Sequence, residues 1–233
     1  MGGRDGALAR GLGCVALAAL AAAPASAQIS GSRLGAREAR VPADPTTPDG
    51  VRQYVFEYVS CVAGKNRKAL KGFLETPPNS AEADRFWASL RIDDCHSIGT
   101  LVLTDRGLRG AGYDKMYRLE FGKKGPTDFA GVAEIDYALG LDVAKPVDRN
   151  AVALRTFSDC VVRANGEDAQ ALVLSKIATG AEAKAFDALK PYFKQCLAQG
   201  MEITFENGAI RGLVAESLYR LSSAASGTRG ERG

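Results

Sequence analysis

An eleven-residue pattern, R-G-x-x-x-[D/E]-x-[M/L]-Y-R-L, occurs twice in this chain, within GLRGAGYDKMYRL (107–119) and AIRGLVAESLYRL (209–221). The surrounding sequence repeats with it. EYVSCV (57–62) aligns with TFSDCV (156–161) at an offset of 99, and SAEADRFWA (80–88) with GAEAKAFDA (180–188) at 100. The next cysteines align at 101 and LRG/IRG (108–110, 210–212) at 102. The offset grows by one at each joint, so insertions fall between elements and not within them. This order of blocks reads as a tandem duplication of a unit of roughly 73 residues.

Each unit opens on a helix leading to its first cysteine, VRQYVFEYVSCVAG (51–64) and NAVALRTFSDCVVRAN (150–165). Val51, Val55, Tyr58, Val59 and Val62 recur at helical spacing and predict one buried stripe. A short second helix is expected around Lys68–Leu74 and Glu167–Ile177. A third follows a capping box, Asn79 to Glu82 and Thr179 to Glu182, and runs to the second cysteine. Pro191 predicts a kink or restart in the second copy.

TLVLTDRGLRG (100–110) and MEITFENGAIRG (201–212) then read as β-hairpins turning near Asp105–Gly107 and at Asn207-Gly208. The repeated motif starts a last helix. A lone hairpin is marginal in water, so the two hairpins are expected to join in one small antiparallel sheet. The expected fold class is therefore α+β, mainly α, a duplicated helix-helix-helix-β-hairpin-helix unit. The organisation is a signal peptide at 1–27, a flexible leader at 28–49, repeat 1 at 50–121, a connector at 122–148, repeat 2 at 149–223 and a disordered tail at 224–233. Within the connector, FAGVAEIDYALGL fits helix or strand equally.

The signal peptide reading rests on Arg4 and Arg10, the apolar run GLGCVALAALAAA (11–23) and the cleavage triplet Ala25-Ser26-Ala27. The run is too short to cross a bilayer core of roughly 30 Å. Cys14 stands at the front of that run, whereas a lipidated cysteine would follow it. The mature chain from Gln28 is expected to be periplasmic or secreted, with no membrane span and a net charge near +2. So balanced a charge gives no footprint for nucleic acid. Lys65, Arg67, Lys68 and Lys71 read as a solvated helix face.

Four cysteines remain after cleavage, separated within pairs by 33 and 35 residues. In an oxidising compartment they read as a disulfide framework, and the repetition favours Cys61–Cys95 with Cys160–Cys196. The spacing fits neither a C-x-x-C redox pair nor a zinc site.

Catalytic signals are sparse. His96 is the only histidine, and its cluster with Asp93, Asp94 and Cys95 is not repeated around Cys196. No nucleophile elbow, phosphate loop or dinucleotide fingerprint occurs, and no cofactor is expected. The expected role is a non-catalytic protein binding an envelope partner or small ligand, or a structural one. A secreted hydrolase using carboxylate or serine chemistry is the alternative. Tyr117 and Tyr219 are candidates to line a groove between the halves, against a plainer role as core anchors. Gly110 and Gly212 are expected where a strand turns into a helix, and Asp114–Arg118 and Glu216–Arg220 as i,i+4 ion pairs. Arg109 and Arg211 have no evident local partner and are the other binding candidates. The oligomeric state cannot be read from the sequence.

The signal sequence, the paired cysteines and the closing L-R-G-x-x-x-E-x-L-Y-R-L together resemble a group of secreted proteins from alphaproteobacteria, over most of residues 50–222. The first copy departs from that closing pattern at Ala111-Gly112-Tyr113-Asp114. The group has no established activity, so the resemblance implies location and architecture, and no functional residue is carried over.

Overall fold

Capping side chains divide this chain into its helices. The computed structural model describes residues 46–78, 80–90, 95, 104–197 and 207–230. Helix α1 (Pro48–Glu75) starts at Thr47, whose hydroxyl accepts from the Gly50 amide at 3.1 Å, with Pro48 in its first turn. It breaks at Asn66 (φ −144°, ψ 61°), where the Asn66 carboxamide accepts from the Ala69 amide and restarts the helix. The second half uses the same device. Helix α4 (Pro146–Ala164) ends at Asn165 (φ −153°, ψ 81°), which caps α5 (Gly166–Leu174) through the Asp168 amide.

Helix α2 (Ala81–Leu90) is capped by Ser80, which accepts from the Ala83 amide at 3.1 Å; the expected cap, Asn79, lies outside the described residues. Helix α6 (Gly180–Cys196) is capped by Thr179 as expected. Glu182, however, does not complete the reciprocal bond to Thr179; it accepts from the Ala178 amide and from two arginines. Pro191 lies inside α6, which continues through it to Cys196.

The hairpins and their joint sheet are not formed. The described residues are helical or in turns, without a strand. Residues expected to form the turns and second strands instead begin helices α3 (Asp105–Glu120) and α7 (Asn207–Gly230). Thr104 caps α3 by accepting from the Gly107 amide at 3.2 Å, so T-D-R-G is a helix start and not a turn. Residues 100–103 and 201–206, the expected first strands, lie outside the described residues. Among the described residues the fold is thus all-α.

After α3 comes a short 3₁₀ turn at Gly122–Lys124. The rest of the connector is neither helix nor strand up to Pro146. Asp128, Asp136 and Asp142 each accept from the amide two residues ahead, and buried Phe129 and Tyr137 anchor this stretch. Helix α7 continues through residues 224–230, read from sequence as tail.

In α1 the buried face is Tyr54, Tyr58, Val59 and Val62, while the expected Val51 is 42% exposed. Helix α3 packs on α1 and on α7, and α7 packs also on α4 and α5. Their shared core contains Leu70, Phe73, Leu108, Met116, Leu172 and Leu218. Two disulfides brace it, Cys61–Cys95 and Cys160–Cys196, with Cα separations of 5.7 and 5.6 Å.

Candidate functional site

Helices α3 and α7 cross at the glycines of the repeated motif. A Cβ added to Gly110 would lie 2.8 Å from the Gly212 Cα, and one added to Gly212 would lie 3.0 Å from the Gly110 Cα. Both glycines are therefore required by close helix approach. They do not mark a strand end.

Each arginine before its glycine closes the C-terminus of another helix. Arg109, 4% exposed, donates through Nη1 to the Phe73 and Thr76 carbonyls, both at 2.9 Å. Its Nη2 donates to Thr76 Oγ1 and the Pro77 carbonyl, and its Nε to Asp105 at 2.8 Å. The guanidinium also lies over the Phe73 ring, 4.2 Å from its centre. Arg211, also 4% exposed, donates through Nη2 to the Val173 and Ser175 carbonyls, each at 3.0 Å. The last carbonyls of α1 and α5 lack intrahelical donors and carry the negative end of the helix dipole. A buried guanidinium supplies both the donors and the opposite charge.

Around Arg211 lies a cross-linked ionic cluster. Its Nε donates to Asp114 at 2.8 Å and its Nη1 to Glu182 at 2.8 Å. Asp114 also accepts from Arg118 at 2.6 Å, and Arg118 reaches the carbonyls of Val173, Leu174 and Ser175. Glu182 takes a bidentate bond from Arg52 at 3.1 and 2.7 Å. Burial pushes the Glu182 carboxyl upward, but the bonds from Arg52 and the Ala178 amide and the charge of Arg211 outweigh it, holding it below its ordinary value.

A second cluster surrounds Glu216, which accepts from Arg155 at 3.2 Å and Arg220 at 3.0 Å. Arg220 donates on to the Tyr113 hydroxyl at 2.6 Å, and that hydroxyl donates to the Leu74 carbonyl at 2.5 Å. Burial, reinforced by the charge of Glu216, raises the Tyr113 hydroxyl far above its ordinary value, so it remains a donor. Arg118 and Arg220 thus each work on the opposite half. Arg118 contacts the end of α5 directly, and Arg220 contacts the end of α1 through Tyr113. The position matching Tyr113 is Ala215, which has no ring to intervene.

Tyr117 and Tyr219 are buried, at 0% and 8% exposure. The Tyr117 hydroxyl accepts from Gln170 at 2.7 Å, and the Tyr219 hydroxyl donates to Glu120 at 2.9 Å. The structure therefore places all four binding candidates in the interior. It brings Arg211 together with Asp114 and Glu182, while Arg109 sits at the other helix end. Sequence reasoning overlooked Glu182, Arg52 and Arg155 as cluster members. No signal in the sequence could have found them, because Arg52 lies 130 residues from Glu182 and Arg155 lies 61 from Glu216. His96 lies outside the described residues, and no group able to hold a metal ion occurs among those described.

Two surface depressions lie along α6. One, of about 220 Å³, is bordered by Asp49, Arg52, Thr179 and Glu182 at the edge of the ionic cluster. The other, of about 570 Å³, is bordered by Phe186, Lys190, Phe193, Lys194 and Leu197. No protein-family model, no curated protein and no solved structure matches this chain.

Proposed function

We propose that this is a non-catalytic protein of the periplasm or the extracellular space, produced by tandem duplication, which presents a disulfide-braced helical surface to an envelope partner. The carrying observation is the fate of the repeated motif. Its arginines and acids bind one another and the ends of α1 and α5. Its glycines bring two helices into backbone contact, and that contact leaves no room for a ligand at their crossing.

Duplication is supported by matching devices 99 residues apart: Asn66 and Asn165 as caps, and Thr76 and Ser175 at arginine-closed helix ends. Location is supported by the signal-peptide pattern of residues 1–27 and by two disulfides, which persist in oxidising compartments. No described helix is long and apolar enough to cross a membrane.

The test is affinity capture from envelope extract with the disulfide-bonded chain from Gln28 onward, followed by mass spectrometry of retained proteins. Reproducible retention of one envelope protein supports the reading. Background alone overturns the partner-binding reading, and labelling of a single serine by a fluorophosphonate hydrolase probe overturns it in favour of the hydrolase alternative.

A further inference from the structure

The two disulfides differ in what covers them. Cys95 is 8% exposed and belongs to the core, with Cys61 half-buried beside it. Cys160 is exposed on the outer face of α4, and Cys196 is half-buried at the last residue of α6. Thiol–disulfide exchange needs a thiolate to reach one sulfur, so access sets which bond opens first.

Besides the Cys160–Cys196 bond, the end of α6 is held by side-chain packing, with Tyr192, Cys196 and Leu197 half-buried against the core. Pro191 has no amide hydrogen to continue the helical ladder. Of Pro191–Cys196 only Phe193 is buried, against Phe157 of α4 (ring centres 5.7 Å apart) and Phe186 (5.6 Å). Glu182, which fastens α6 to Arg52 and Arg211, lies at the opposite end of the helix.

We propose that Cys160–Cys196 is a reducible latch on the end of α6, opened by a dithiol reductant while Cys61–Cys95 stays closed. One thiolate of the reductant attacks Cys160 Sγ, forming a mixed disulfide and releasing the Cys196 thiolate. The second thiolate of the reductant then displaces the Cys160 thiolate and leaves the reductant as its own disulfide. Two electrons pass to the protein, and both released thiolates take up protons. Pro191–Cys196 is then free to separate from Phe157, reshaping the apolar depression along α6.

The test is graded reduction of the full mature chain with dithiothreitol, quenched by alkylation and mapped by peptide mass spectrometry. Cys160 and Cys196 should become alkylated on the order of tenfold faster than Cys61 and Cys95. Hydrogen exchange of that partly reduced species should quicken over residues 192–197 and stay unchanged in α3 and α7. The Cys160→Ser/Cys196→Ser variant should reproduce this local pattern with its helical circular dichroism retained. Simultaneous opening of both bonds, earlier opening of Cys61–Cys95, unchanged exchange at 192–197, or global loss of helix in the variant each overturns the latch.

Discussion

A single methyl group tests the helix crossing. Gly110→Ala or Gly212→Ala places a Cβ against backbone, which cannot rotate away as a side chain can. Each substitution should destabilise by about 1–3 kcal/mol in denaturant unfolding. The double variant should cost less than the two together, because the first methyl has already separated the helices. Gly64→Ala is the control. Its Cβ meets nothing within 4 Å inside helical α1, so it should stabilise by about 0.5–1 kcal/mol.

Glu182 carries the second residue-scale prediction. Glu182→Gln leaves Arg211 and Arg52 without one carboxylate and should cost about 3 kcal/mol near neutral pH. The native carboxyl titrates below its ordinary value of 4.5. Its stabilisation is therefore fully present above that pH and lost as pH falls through the lower folded value. The stability gap between wild type and variant should be constant above about pH 5 and close at more acid pH. A gap that widens on acidification would contradict the assignment.

At the scale of elements, Arg109 acts as the C-terminal closure of α1. Arg109→Lys keeps the charge but replaces a planar fork with one ammonium, which cannot reach the Phe73 and Thr76 carbonyls, Thr76 Oγ1 and Asp105 together. It should destabilise by about 2 kcal/mol and speed amide exchange in the last turn of α1, with α4 unaffected. The helices themselves were largely legible, since apolar spacing and the Thr179 cap mark them locally. The hairpins were misread because Asp105–Gly107 and Asn207-Gly208 resemble turns, yet both stretches start helices, and Gly110 and Gly212 answer to a partner helix a hundred residues away. Arg109 and Arg211 were opaque for a related reason. Arg109 does have a local partner, Asp105 four residues before it, which the expected turn at Asp105–Gly107 concealed. The other acceptors are main-chain carbonyls 32–38 residues distant and, for Arg211, Asp114 and Glu182 on other helices, which spacing cannot reveal.

For the whole molecule, each disulfide closes a loop of 34 or 36 residues and should contribute about 3–4 kcal/mol by restricting the unfolded chain. Removing both by Cys→Ser substitution should lower the unfolding midpoint well beyond either single pair, as calorimetry can show. The cysteine pairing was legible because the repetition singled out one connectivity. The packing of one half on the other was not, because it depends on which faces of α3 and α7 meet.

The position of α7 in the chain has a consequence for the newborn polypeptide. A ribosome delivers α1, α3, α5 and α6 before it delivers residues 207–230. Until then Asp114 and Glu182 lack Arg211, and Gly110 faces no opposing backbone. The interior cannot close before the last helix emerges. A polypeptide whose closure waits for its final helix stays threadable for most of its synthesis, which fits the export proposed above.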